Sequence, residues 1–154
     1  MCGMKRFLII LGFFAVFLAL AIIFTSVKES NQSLKISQVK IGLGVFDVEI
    51  ADNLLLQSKG LSNRDSLPKN HGMLFIFSEP AIQRFWMKDM RFSIDIVWIR
   101  NNEVSGIVYG AEPESGDSPT IYASPEPVDR VLEINAGEVS NYGIKVGDEV
   151  IISK

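Results

Sequence analysis

Alternation of apolar and polar positions dominates the chain from about residue 38 onwards, and this pattern predicts β-strands. In residues 45–50 (Val-Phe-Asp-Val-Glu-Ile) the apolar side chains recur at every second position. Successive side chains of a strand point to opposite faces of a sheet, so Phe46, Val48 and Ile50 are expected to face a core. The pattern therefore indicates a strand with one buried and one more polar face.

Further apolar and β-branched segments predict additional strands. They cover residues 38–41, 73–77, 84–87, 94–100, 103–109, 130–134 and 149–153. The turn Gly42-Leu43-Gly44 predicts a hairpin at the start of the domain. Asn101-Asn102 predicts a second hairpin tip, because asparagine tolerates positive φ.

One short helix interrupts the strands. Asp52 is expected to cap it by accepting from a free backbone amide, three leucines fill residues 54–56, and Gly60 ends it. Residues 110–127 contain four prolines and predict a long surface loop. With no regular βαβ alternation, the pattern predicts a mainly β fold with one short helix (α+β), as a compact barrel-like or rolled antiparallel sheet.

The start of the chain has a different pattern. Residues 7–25 carry no charge, and Lys5 and Arg6 precede them. About 20 apolar residues cross a bilayer, and flanking positive charges stay cytoplasmic. The segment thus predicts one transmembrane helix in the cell membrane with an extracytoplasmic domain after it. A cleaved signal peptide is the alternative, for which Ala19-Leu20-Ala21 offers a small-x-small site, and it predicts secretion.

Composition supports one exported domain. Residues 1–25 are interpreted as a cytoplasmic stub with the anchor or signal, 26–37 as a polar tether, and 38–154 as a single domain. Cys2, the only cysteine, precedes the apolar segment, so disulfides and thiol chemistry are excluded from the exported part. That part is acidic and has no basic cluster, which argues against nucleic acid as a partner.

The densest motifs lie between residues 60 and 95, with two later pairs. They are Gly60-Leu61, Arg64, Leu67-Pro68, Gly72-Met73-Leu74-Phe75, Phe85-Trp86-Met87-Lys88, Ile94-Asp95, Leu132-Glu133 with Gly137, and Gly147-Asp148. In these motifs the chain resembles the family catalogued as domain of unknown function 192, over about residues 38–153. The resemblance implies a small, mainly β domain, often behind an export signal, and it implies no activity.

The chain departs from the pattern of this family at a few positions. Gln57 stands where a basic residue is usual, and Ser62 where methionine is usual. Asp89-Met90 replaces an Asn-Thr pair. If that pair contacts a ligand in relatives, the resemblance implies a different ligand here, or none.

Four residues are predicted as ligand-binding candidates: Arg64, Trp86, Lys88 and Asp95. Asp95 lies between two isoleucines, where a carboxylate must be paired, hydrogen-bonded or protonated. It either serves a site or accepts backbone amides in a structural role. Trp86 is either a stacking platform or a core residue. Arg64 either clamps an anion or pairs with a neighbouring acid.

Metal and nucleophilic sites are not favoured, and no cofactor is predicted. Soft ligand atoms for copper occur at His71, Met73, Met87 and Met90, but without a spacing that is diagnostic of a copper site. The loop acids Glu112, Glu114 and Asp117 likewise lack the spacing of a calcium-binding loop. His71 is the only histidine and no Gly-x-Ser-x-Gly elbow occurs, so an activated serine is not expected.

The sequence therefore favours a membrane-tethered extracytoplasmic module that binds an unknown small molecule, glycan or protein. One alternative is a hydrolase acting on envelope material, with Asp95 or Glu133 as general base. Another is an envelope assembly factor that binds a protein partner through a sheet edge.

Overall fold

The computed structural model describes residues 35–114 and 118–153. The predicted anchor and most of the predicted tether lie outside these ranges. Within them, no helix combines the length and the apolar character that crossing a bilayer requires.

A seven-stranded sheet forms the body of the described domain. The strands in chain order are β1 (Ile36–Ile41), β2 (Gly44–Ala51), β3 (His71–Ala81), β4 (Arg84–Trp86), β5 (Ile94–Arg100), β6 (Glu103–Ala111), β7 (Ile121–Ala123), β8 (Val128–Asn135) and β9 (Val150–Ser153). The helices are α1 (Leu54–Lys59) and α2 (Glu138–Asn141). The large sheet has the order β6-β5-β8-β3-β2-β1-β9, and β4 and β7 form a small separate sheet.

The large sheet curls into a half-barrel. Its two edge strands approach each other at one end, where Glu103 bridges to Glu149 and the amide of Val104 donates to the carbonyl of Asp148 at 3.0 Å. At the same edge β9 pairs with β1, so that Gln38 lies opposite Ser153. The predicted mainly β, barrel-like class is thus confirmed at the level of a curled half-barrel.

Most predicted strands are confirmed. Phe46, Val48 and Ile50 are buried, as the alternation predicts. The β1–β2 hairpin turns at Gly42-Leu43, where Ile41 pairs with Gly44. Asn101 and Asn102 form the β5–β6 tip with φ of 52° and 62°, the left-handed region that asparagine tolerates.

Four details of the prediction are wrong. The sheet is mixed, because β2 and β3 are parallel neighbours joined through α1. A second helix, α2, is present, and β7 lies within the predicted 110–127 loop. The cap of α1 is Asn53, whose side chain accepts from the amide of Leu56 at 3.1 Å, while Asp52 pairs with Lys35.

Apolar side chains cover both faces of the sheet. One cluster contains Val104 of β6 and Val150 of β9, which belong to the two edge strands. Because this cluster reaches both edges of the curled sheet, it lies on the concave face. The second cluster lies on the convex face and includes Met73, Ile96 and Trp98. The small sheet and the segment that follows α1 cover this second face, because Phe85 and Leu61 pack into the same cluster.

Candidate functional site

The convex face carries a hollow of about 310 Å³, which we call the aromatic hollow. It opens between α1, β3 and β4. Its lining includes Phe75, Phe77, Phe85, Trp86, Met90 and Glu133. A concave site with aromatic walls and few polar groups is the usual form of a small-molecule site, and this volume lies at the small end of that range.

Edge-to-face aromatic contacts fix the walls of the hollow. The ring of Phe85 lies 4.9 Å from that of Phe75 and 5.6 Å from that of Trp98, with the ring planes nearly perpendicular. Such pairs stabilise a cluster beyond simple burial. Phe85 is thereby held against the sheet, and its neighbour Trp86 remains 54% exposed. The interpretation of Trp86 as a core residue is therefore wrong.

Glu133 provides the one carboxyl group of the hollow. It lies on β8 between Met73 of β3 and Ile96 of β5, and it is 6% exposed. Within the described ranges no group hydrogen-bonds to its side chain. Burial raises its pKa to about 8, because the charged form loses its hydration, while the charge of Arg64 acts in the opposite direction. Glu133 is therefore mainly protonated at neutral pH.

Arg64 is already paired. Its two terminal nitrogens donate to the two carboxylate oxygens of Glu49 at 2.7 and 2.6 Å, a bidentate geometry. The hydrogen bond to Glu49 raises the pKa of Arg64, and partial burial opposes that rise. Arg64 lies close enough to Glu133 for its charge to act there, but its donor fork is directed to Glu49.

Asp95 lies on the opposite face of the sheet from Glu133. It pairs in register with Ile134, the residue after Glu133, and it is 1% exposed. One oxygen accepts the amide of Gly110 at 2.8 Å, and the other accepts the amide of Val139 at 3.0 Å. This is the structural role that the sequence left open, and it leaves Asp95 away from Trp86 and the hollow.

Three cations surround the hollow. Lys59 and Arg84 line it, and the Lys88 ammonium lies 5.7 Å from the centre of the Trp86 ring. None of the three takes part in an ion pair within the described ranges. Of the four predicted candidates, Trp86 is thus in the lining, Lys88 and Arg64 are its neighbours, and Asp95 is elsewhere.

The hollow offers ring stacking, cationic rim groups and a carboxyl able to donate or take up a proton. Metal binding has no comparable support, because no three His, Cys, Asp or Glu side chains converge within residues 35–114 and 118–153.

A comparison with family models decides the affiliation. The model described as DUF192, an uncharacterized ACR, matches residues 35–152. The chain belongs to the DUF192 family. A comparison of this DUF192 protein with curated proteins finds no match.

Two crystal structures are similar to this DUF192 domain. A protein of unknown function from Novosphingobium aromaticivorans DSM 12444 is 32% identical with a TM-score of 0.72, covering 80% of this chain and 89% of its own. A protein from Sinorhizobium meliloti 1021, provisionally described as a transcription regulator, is 31% identical with a TM-score of 0.72. That match covers 77% of this chain and 95% of the other.

Three of the four positions at which the sequence resemblance implies a departure from the family pattern lie at the hollow. Gln57, Ser62 and Met90 all line it. The side-chain amide of Gln57 donates to the carbonyl of Ile76 at 2.8 Å and ties α1 to β3. The sequence predicts Glu133 only as an alternative general base. A signal for a larger role is present, because Glu133 lies between Leu132 and Ile134 just as Asp95 lies between two isoleucines.

Proposed function

We propose that this DUF192 domain is a membrane-tethered, extracytoplasmic module that binds a small molecule in the aromatic hollow. The observation that carries the proposal is Glu133, a carboxyl on a residue that is 6% exposed, which lines the hollow and has no protein hydrogen-bond partner among the described residues. A carboxyl that lines an open hollow and forms no hydrogen bond within the protein is available to a ligand.

The walls of the hollow support the same proposal. Trp86 is a large, half-exposed ring at the mouth, and Phe77 and Phe85 provide apolar surface further in. Exposed tryptophan is enriched where proteins bind other molecules, because its ring is large, rigid and able to donate one hydrogen bond. A ligand with a ring and at least one polar atom fits this combination.

The test is a screen of cell-wall fragments and small ring compounds by heteronuclear NMR. Binding should shift the backbone amides of Phe77, Phe85 and Glu133. Trp86→Ala should weaken binding about tenfold, because a ring contact contributes on the order of 1 kcal/mol beyond the buried area. Tyr109→Ala is the matched control, because Tyr109 is also an exposed aromatic residue on a strand but lies outside the hollow.

Two outcomes contradict this proposal. One is that no compound shifts the resonances of the hollow. The other is that Trp86→Ala binds as tightly as the wild-type domain.

A hydrolase with Glu133 as general acid or base is the second candidate. The raised pKa of about 8 supports it, because a proton-transfer group works best with a pKa near the working pH. Against it, Glu133 is the one carboxylate among the lining residues. In any assay that detects turnover, Glu133→Gln should abolish the activity and Glu112→Gln, on an exposed segment, should not. Full activity in Glu133→Gln excludes the role.

A further inference from the structure

We propose that the aromatic hollow selects small anions that carry an apolar ring, with Lys59 and Arg84 holding the anionic group. The ligand class is thus an aromatic or other cyclic carboxylate or phosphate. This inference rests on the proposed function, because it concerns the same hollow, and it adds the charge and the shape of the ligand.

The charges of the lining favour an anionic ligand. Its ionisable residues are Lys59, Arg84 and Glu133. Neither cation has an ion-pair partner within the described ranges, whereas Arg64 nearby is neutralised by Glu49. Lys59 and Arg84 are exposed at the hollow, and two cations attract anions to it even where water screens each charge.

The protonation state of Glu133 also favours an anionic ligand. Arg64, from the segment after α1, is the charged group whose charge acts on Glu133, and Lys59 of α1 and Arg84 of β4 line the same hollow. Glu49 of β2 forms an ion pair with Arg64 and balances its charge. The buried acid is mainly protonated at neutral pH. The hollow therefore has a net positive lining, and its floor offers a hydrogen-bond donor to a neutral oxygen of the ligand.

A cationic ligand fits less well. It would meet the charges of Lys59 and Arg84 in the lining, and it would have to ionise Glu133 before gaining a counter-charge. The rings of Trp86 and Phe85 attract cations through their faces, but Lys88 already lies over Trp86. A second cation at Trp86 would be repelled by Lys88, whereas a neutral ring would not, so the charged groups favour a ring with a negative substituent.

The experiment compares four ligands that share one ring and differ in charge: benzoate, phenyl phosphate, benzamide and benzylammonium. Their dissociation constants are measured at pH 6.5 from the NMR shifts of the Trp86 indole N–H and the Glu133 amide. We expect benzoate or phenyl phosphate to bind at least about tenfold more tightly than benzamide and benzylammonium. The tighter of the two anions distinguishes a carboxylate from a phosphate ligand.

Two variants test the assigned cations. The double variant Lys59→Gln with Arg84→Gln should remove the preference for anions while retaining ring binding. Lys69→Gln, at an exposed lysine outside the hollow, should leave the preference unchanged.

The outcomes separate this inference from the proposed function. If benzamide or benzylammonium binds as tightly as the anions, the anion selectivity is overturned and ring binding in the hollow stands. If the double variant keeps the preference, Lys59 and Arg84 are not the anion-binding groups. If none of the four ligands shifts the two resonances, both the inference and the proposed small-molecule site lose their support.

Discussion

Glu133 and Asp95 have the same sequence environment and opposite surroundings in the fold. Each is an acid within an apolar strand, and the two strands are neighbours in the sheet. Asp95 accepts hydrogen bonds from two backbone amides, whereas Glu133 lies between Met73 and Ile96 and lines the hollow. The sequence predicts that Asp95 must be paired, hydrogen-bonded or protonated, and it predicts Glu133 only as a possible general base. It does not predict the partners of Asp95, because the donors come from Gly110 and Val139, far along the chain.

Stability should depend on pH through Glu133. Its carboxyl titrates near 4.5 when unfolded and near 8 when folded, so the folded domain binds one more proton between these values. This contribution is fully present below pH 4.5 and is lost as pH rises through about 8. We expect the free energy of unfolding to fall by on the order of 3–5 kcal/mol across that window.

Urea unfolding between pH 5 and 9 measures this effect. Glu133→Gln keeps a neutral side chain of the same size. Its free energy of unfolding should therefore fall with pH by on the order of 3–5 kcal/mol less than that of the wild-type domain. Glu112→Gln should retain the wild-type dependence. Parallel curves for the wild-type domain and Glu133→Gln would show that Glu133 does not titrate in this way.

At the scale of elements, long strands are predictable and short or distant pairings are not. The alternation in β2 and the asparagine tip between β5 and β6 mark their positions directly. β7 has three residues and is defined by its pairing with β4, about 35 residues earlier, so no local pattern marks it. α2 has four residues, too few for a helical period, and Asp95 accepts the amide of its Val139.

Asp95 joins three elements, and its substitution should therefore affect stability. It connects β5 to the end of β6 through Gly110 and to α2 through Val139. Asp95→Asn turns one acceptor into a donor that faces a backbone N–H. We expect a loss of about 1–3 kcal/mol, the usual effect of leaving a buried group unsatisfied.

The same variant tests whether Asp95 binds ligand. At a temperature where Asp95→Asn is folded, its affinity for benzoate should equal that of the wild-type domain, because Asp95 lies on the other face of the sheet. An unchanged melting temperature together with weaker binding would reverse this assignment. Ser78→Ala, at an exposed position of β3, is the control for both measurements.

At the scale of the whole molecule, the curl of the sheet limits the free edges. β6 and β9 are the edge strands, and they join at Glu103 and Glu149. An assembly factor that pairs through a strand edge needs unpaired backbone groups, so the bridge leaves less of each edge for a partner. The convex face, with its hollow and the exposed Trp86, is the better candidate for recognition.

The proposed location makes a prediction about the whole chain. A membrane-tethered, extracytoplasmic domain should be digested when protease is added to intact cells or spheroplasts, while a cytoplasmic marker protein survives. A reporter active only outside the cytoplasm should work when fused after Lys154. Replacing residues 7–25 by a polar linker should abolish both signals. A protected domain together with an inactive reporter would place it in the cytoplasm and overturn the tether.

The pairing of β1 with β9 has a practical consequence for engineering. Gln38 and Ser153 are neighbours across two antiparallel strands, so the first and last strands run side by side. Proteins whose extremities are adjacent tolerate rearranged connectivity. A linker of a few glycine and serine residues between the two strands would allow a circular permutant with new termini at Asn101-Asn102. The domain with its natural connectivity could also be inserted into a loop of a host protein.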